Sequence, residues 1–127
     1  MRLGARLGFS GLEELEARVR EVNFPVELAL PHLISDFSDV AERMPEVRDI
    51  VTAARLEVLS VHASQGNLAA DDYRLWAAPA VRLADELGAT SVTFHPSIAR
   101  KDRMAGQYAA MSHLKELQSE TRAIVAL

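Results

Sequence analysis

The sequence predicts an α/β protein built on a parallel sheet, and three observations support that reading. Short β-rich runs alternate with amphipathic helical stretches in the order β-α-β-α-β-α-β-α-β, the pattern of strands joined by helical crossovers. The runs VELAL (26–30), VLSVH (58–62) and AIVAL (123–127) are almost continuously apolar, as expected for strands covered on both faces. Two strands, in EVLSVHAS and SVTFHPS, finish in the same way, on a histidine.

The bulk properties narrow the function classes. With 127 residues, 49% of them hydrophobic, the chain is read as a single domain, 1–127, with a real core. Fourteen basic against 18 acidic residues leave a net charge of −4, which argues against nucleic acid as the main partner. There is no cysteine, so disulfides and thiolate metal sites are excluded. No apolar stretch has the form of a signal peptide or of a bilayer span. The expectation is a soluble, cytoplasmic protein.

Each element follows from local pattern. The first strand covers residues 2–8. Ser10 and Glu13 have the spacing of a capping box, and the helix they open puts Leu12, Leu15, Val19 and Val22 on one face. Asn23 closes it and Pro25 blocks its continuation. The second strand is 26–30. Pro45 interrupts the next helical pattern, which predicts a short turn over 39–44 and a helix over 46–56. The third strand is 58–62. After Asp71 or Asp72, the residues Tyr73, Trp76, Ala80, Val81, Ala84 and Leu87 make one apolar stripe, and Gly88 stands where a left-handed C-terminal cap is wanted. The fourth strand is 91–95. A last helix over 103–121 is predicted to turn Tyr108, Met111 and Leu114 inward, before a fifth strand at 123–127. Two architectures satisfy this order: an open doubly wound sheet, or part of an eight-stranded barrel. The first βα turn, GFSG, lacks the G-x-G-x-x-G spacing of a dinucleotide site.

Reactive side chains of parallel α/β folds gather where strands end and loops begin. His62 and His95 fall there, in consecutive βα units. Neutral imidazoles are common ligands for zinc, manganese or iron; the competing role is to close a strand end by hydrogen bonding to a neighbouring loop. Their repetition in one register favours a site. Glu27 stands inside an apolar strand, and a buried carboxylate is costly unless paired or metal-bound. It either faces a pocket or meets an arginine such as Arg6 or Arg55, and the sequence leaves both open. His32 either reaches the same face or lies exposed in its loop, and His113, among charged residues, is read as a surface residue. Ser64, Gln65 and Asn67 form an ordinary turn or contact a sugar hydroxyl. The cluster ARKDR (99–103) is a solvated helix entrance or a phosphate site.

With VEL in strand two, LSVHAS at strand three, the passage ADELGATSVTFHPS and the closing AIVAL, the chain resembles the N-terminal half of a xylose isomerase-like barrel. That superfamily includes sugar isomerases and epimerases and the apurinic endonucleases of the endonuclease IV type. The resemblance covers all five strands. It implies a partial (β/α)8 TIM barrel of about four βα units plus a fifth strand, in a parallel sheet. In the endonuclease branch, histidines ending strands three and four bind metal, which maps onto His62 and His95. In the sugar branch the metal ligands come mostly from strand five onward, and N-terminal histidines line the substrate pocket. A complete barrel of this kind needs about 250 residues; the sequence ends at Leu127, next to where the family places a glutamate ligand, and so looks like a cut chain.

The resulting expectation is the N-terminal portion of a metal-dependent sugar or sugar-phosphate isomerase or epimerase, inactive as this fragment. The resemblance implies a divalent metal (zinc, manganese or magnesium) in the complete barrel, with Glu27, His62 and His95 as catalytic residues and His62 and His95 as metal ligands. The alternatives are an endonuclease IV-like metal-dependent phosphodiesterase and a non-catalytic half-barrel that assembles with itself. Self-association is expected in any case, because inward residues of LGARL, VELAL and VLSVH should leave a concave apolar surface uncovered.

Overall fold

The computed structural model describes residues 5–31, 37–63, 68–94 and 103–127. Five strands, β1 (Ala5–Gly8), β2 (Val26–Ala29), β3 (Val58–His62), β4 (Ser91–Thr93) and β5 (Ile124–Ala126), alternate with four helices, α1 (Leu12–Glu21), α2 (Phe37–Ala53), α3 (Arg74–Glu86) and α4 (Arg103–Gln118). The strands lie in the order β1-β2-β3-β4-β5, and every neighbouring pair is parallel. Strands one to five are thus consecutive neighbours, as a barrel segment requires. Right-handed crossovers in this order put all four helices on the same side of the sheet. The helices pack as sequential neighbours, α1 on α2, α2 on α3 and α3 on α4.

That one-sided layer corrects the expectation of strands covered on both faces. Leu7, Leu28, Val61, Val92 and Val125 are cross-strand partners. They pack beneath the helices, with Val26, Val58 and Phe94, in a core shared with Leu15, Val19, Val47, Val51, Trp76 and Leu117. The residues between them alternate onto the opposite, open face. A single apolar alternation in each strand is enough to bury one face and no more.

The helix ends show how local chemistry fixes the elements. Gly11 is the N-cap of α1. The predicted box closes one residue later than its spacing implied: Ser10 donates its N–H and hydroxyl to Glu14, at 3.0 and 2.5 Å, rather than pairing with Glu13. These bonds, from the hydroxyl first, hold the Glu14 carboxyl below the usual carboxylate range. At the end of α3, the N–H of Ala89 reaches the carbonyl of Ala84 at 2.9 Å and that of Gly88 the carbonyl of Asp85 at 3.1 Å. This is the Schellman pattern, with Gly88 at φ +70° as its left-handed residue.

Two helices depart from expectation. Pro45 does not split α2, which runs unbroken through it. Met44, Val47 and Val51 are buried on one face of that helix, and their burial outweighs the hydrogen bond that proline removes. In α4 the inward face is Ala110, Leu114 and Leu117, whereas Tyr108 and Met111 are 75% and 50% exposed. The helix has apolar residues on more than one side, so periodicity alone could not choose the face that packs.

Candidate functional site

The open face is built in rungs. One rung aligns Arg6, Glu27, Ser60, Ser91 and Ile124; the next, nearer the strand ends, aligns Gly8, Ala29, His62, Thr93 and Ala126. This is a largely polar surface of hydroxyls, a carboxylate, an imidazole and a guanidinium. The expectation of an apolar concave face is therefore corrected: Val26, Leu28 and Leu30 of VELAL and Val58 and Val61 of VLSVH went to the helix side, leaving Glu27, Ala29, Ser60 and His62 on the other. Ile124, on β5, is the exposed large apolar residue at the edge of this face, while Met104, Tyr108 and Met111 lie on α4 and Leu127 follows β5.

Glu27 and His62 meet at the centre of this face. His62 Nδ1 lies 3.3 Å from Glu27 Oε1. His62 is only 8% exposed and is the buried residue of polar type among those described, while Glu27 is half-buried. Of the two roles left open for Glu27, the structure brings it to His62; among the described residues neither Arg6 nor Arg55 forms an ion pair with it.

A β-bulge makes the contact possible. Val26 pairs with Val58, but Glu27 pairs with Ser60, so Leu59 is an extra residue on β3. Without it the register would run Glu27 to Leu59 and Leu30 to His62, and Glu27 and His62 would stand on opposite faces. The bulge brings both to the open face. Beyond it the ladder is regular, with Leu30 donating to the His62 carbonyl at 2.9 Å and Ala63 to the Thr93 carbonyl at 2.8 Å. The end of β3 is held from both sides, and His62 is fixed with it.

The other predicted site residues stand as follows. His95, with which His62 was expected to share a ligand, lies outside the described residues, as do His32, Ser64, Gln65, Asn67 and most of ARKDR. His113 is not a free surface residue: its ring stacks on Tyr73 with centroids 3.7 Å apart, and its Nδ1 donates to the Leu68 carbonyl at 2.6 Å. Arg6, Ser60, Ser91 and Thr93 were missed as members of the face. The period-two alternation in SVT and VLSVH was the available signal, hidden in β3 by the bulge. Among the described residues no group of three histidine, aspartate or glutamate side chains comes together to hold a metal ion. Glu27 and His62 offer two donor side chains, and they are directed at each other.

The chain resembles solved structures while lacking a sequence match: no protein-family model matches it, and no curated protein sequence does. The crystal structure of 3-keto-D-glucoside 4-epimerase, YcjR, from E. coli in its apo form aligns over 98% of this chain and 54% of that one, at a TM-score of 0.57 and 14% identity. The crystal structure of a D-tagatose 3-epimerase-like protein aligns over 97% of this chain and 51% of that one, at a TM-score of 0.63 and 16% identity. The chain spans about half the length of these structures. At such identities the likeness shows the fold alone: a parallel α/β sheet that matches part of a TIM barrel, the partial barrel architecture the sequence predicted.

Proposed function

We propose that the chain is the N-terminal half of a sugar isomerase- or epimerase-like barrel whose open face receives a sugar or sugar phosphate. The Glu27–His62 contact on that face is the observation that supports it most directly. A sugar presents hydroxyls that both donate and accept. Ser60, Ser91 and Thr93 match them with hydroxyls of their own, Glu27 with an acceptor, and His62 with one nitrogen of each kind when neutral. An imidazole and a carboxylate are also the groups that move protons in isomerisation and epimerisation. The two epimerase structures that share the fold support sugar as the substrate class.

A divalent metal, zinc, manganese or magnesium, belongs to this reading as the cofactor of the complete barrel, where it would polarise substrate oxygens. The described residues do not form such a centre. His62 and His95 are proposed to line the pocket or to contribute to the ligand shell, with the other ligands supplied by the second half of the barrel. The isolated chain is accordingly expected to be catalytically silent, soluble and cytoplasmic, and to self-associate. The net charge of −4 favours sugar over DNA.

The test is an NMR titration of the isotopically labelled chain with D-tagatose and D-glucose. Shifts at Glu27, Ser60, His62 and Thr93, with a Kd on the order of 1 mM and lost in His62→Ala, are expected. Perturbation confined to the helix side, or none, would overturn the proposal. Binding of an abasic duplex in place of the sugars would favour the endonuclease IV-like alternative.

A further inference from the structure

The bulge at Leu59 moves Glu27 to the face that His62 occupies and leaves its carboxylate 3.3 Å from one ring nitrogen, Nδ1. An ionised carboxylate only accepts hydrogen bonds, and a neutral imidazole carries a single N–H. The contact is a hydrogen bond only if that proton sits on Nδ1. We infer that Glu27 is a positioning residue: it holds His62 as the Nδ1–H tautomer, which makes Nε2 the basic nitrogen of the ring.

Three features of the fold support a positioning role. The imidazole is buried at a strand end whose backbone is bonded on both sides, to Leu30 and through Ala63 to Thr93, so little ring freedom remains to be fixed. Glu27 comes from the neighbouring strand, one rung back from His62, and so approaches from within the sheet. The bulge itself costs a regular ladder pair, and its effect on this face is to align the two side chains. Irregularities of this kind are enriched next to active sites because they re-aim a side chain. Outer carboxylates that fix the tautomer of a functional histidine are a recurrent device in proton-transfer and ligand sites alike.

The inference deepens the sugar-epimerase reading but is tested without it. Long-range 1H–15N correlation spectra of the chain's four histidines report each tautomer directly, and His62→Gln identifies the signals of His62 by their disappearance. In the wild type, His62 is expected as the Nδ1–H form. Glu27→Ala should release it to the Nε2–H form that free imidazole side chains prefer. Glu27→Gln, which keeps an acceptor oxygen, should retain the Nδ1–H form; its loss there too would assign the effect to the carboxylate charge and still leave Glu27 as the determinant. A wild-type Nε2–H tautomer, or one form unchanged in all three proteins, overturns the inference, and the wild-type spectrum decides alone if a variant fails to fold. An Nδ1–H tautomer in a chain that ignores sugars would keep this inference and remove the sugar reading; the reverse result would do the opposite.

Discussion

Tyr73 and His113 stack face to face, with ring centroids 3.7 Å apart and planes 7° from parallel, and so tie the start of α3 to α4. The same corner is closed by the Tyr73 hydroxyl donating to the Glu116 carboxylate and by Arg74, which bonds Glu116 at 3.0 Å and Glu120 at 2.6 Å. Burial first, and the Glu116 bond second, push the Tyr73 phenol above its ordinary value. The folded state holds this proton more tightly than the unfolded chain, whose tyrosine titrates near pH 10. The corner's contribution is therefore complete below about pH 10 and is lost as pH rises through the folded value. Urea unfolding at pH 9 to 11 should show a fall in stability that Tyr73→Phe removes; an equal fall in both proteins would place the alkaline sensitivity elsewhere.

Both α2 and α3 end in the Schellman pattern, but only α3 has glycine at its left-handed residue. In α2 that position is Arg55, at φ 55°, with Leu56 N–H to the Val51 carbonyl at 3.3 Å and Arg55 N–H to the Thr52 carbonyl at 3.0 Å. An added Cβ at Gly88 meets nothing within 4 Å, so Gly88→Ala should cost only the backbone strain, about 1 kcal/mol. Arg55→Gly should move stability up by a similar or smaller amount. Thermal unfolding of the two variants in opposite directions is the expected result.

Pro45 withholds an N–H from the carbonyl one turn earlier in α2. Because its side chain is exposed, Pro45→Ala restores that bond without disturbing the core and should stabilise by up to about 3 kcal/mol. A neutral or negative effect would mean that the segment behaves as the turn and shorter helix its proline implied.

Metal binding by the chain itself should be weak. Calorimetric titration with zinc is expected to give low affinity that His62→Ala abolishes, since Glu27 and His62 leave half of a four-ligand shell unfilled. Affinity unchanged in His62→Ala would remove the open face from the metal assignment.

Self-association is expected through α4 rather than through the sheet interior. Met104 and Tyr108 are 73% and 75% exposed, and with Met111 they form an apolar stripe bordered by Gln107, Ser112 and Lys115. Light scattering at micromolar concentration should return more than one chain mass for the wild type and one for Tyr108→Glu/Met111→Glu. A wild-type monomer would overturn the prediction.

Much of the fold was legible because it rests on local rules. The alternation of strands and helices, the stripe from Tyr73 to Ala84, the cap at Gly88 and the strand ending at His62 each depend on residues close together in the chain, and each was found where the sequence put it. What the sequence could not decide was which of several apolar faces packs, and in what register. Tyr108 and Met111 look as apolar as Leu114, and only the packing against α3 and β5 selects Leu114 and Leu117. Glu27 was marked by its cost in an apolar strand, but whether it met Arg6, Arg55 or a pocket depended on a single extra residue in β3. One residue of register reverses the face of every side chain beyond it. The sequence by itself therefore determined the order of the elements and, at the end of β3, the imidazole that stands there. The tertiary structure decided which groups meet, because the pairing of Glu27 with His62 is set by contact between strands 35 residues apart in sequence and not by any pattern within either one.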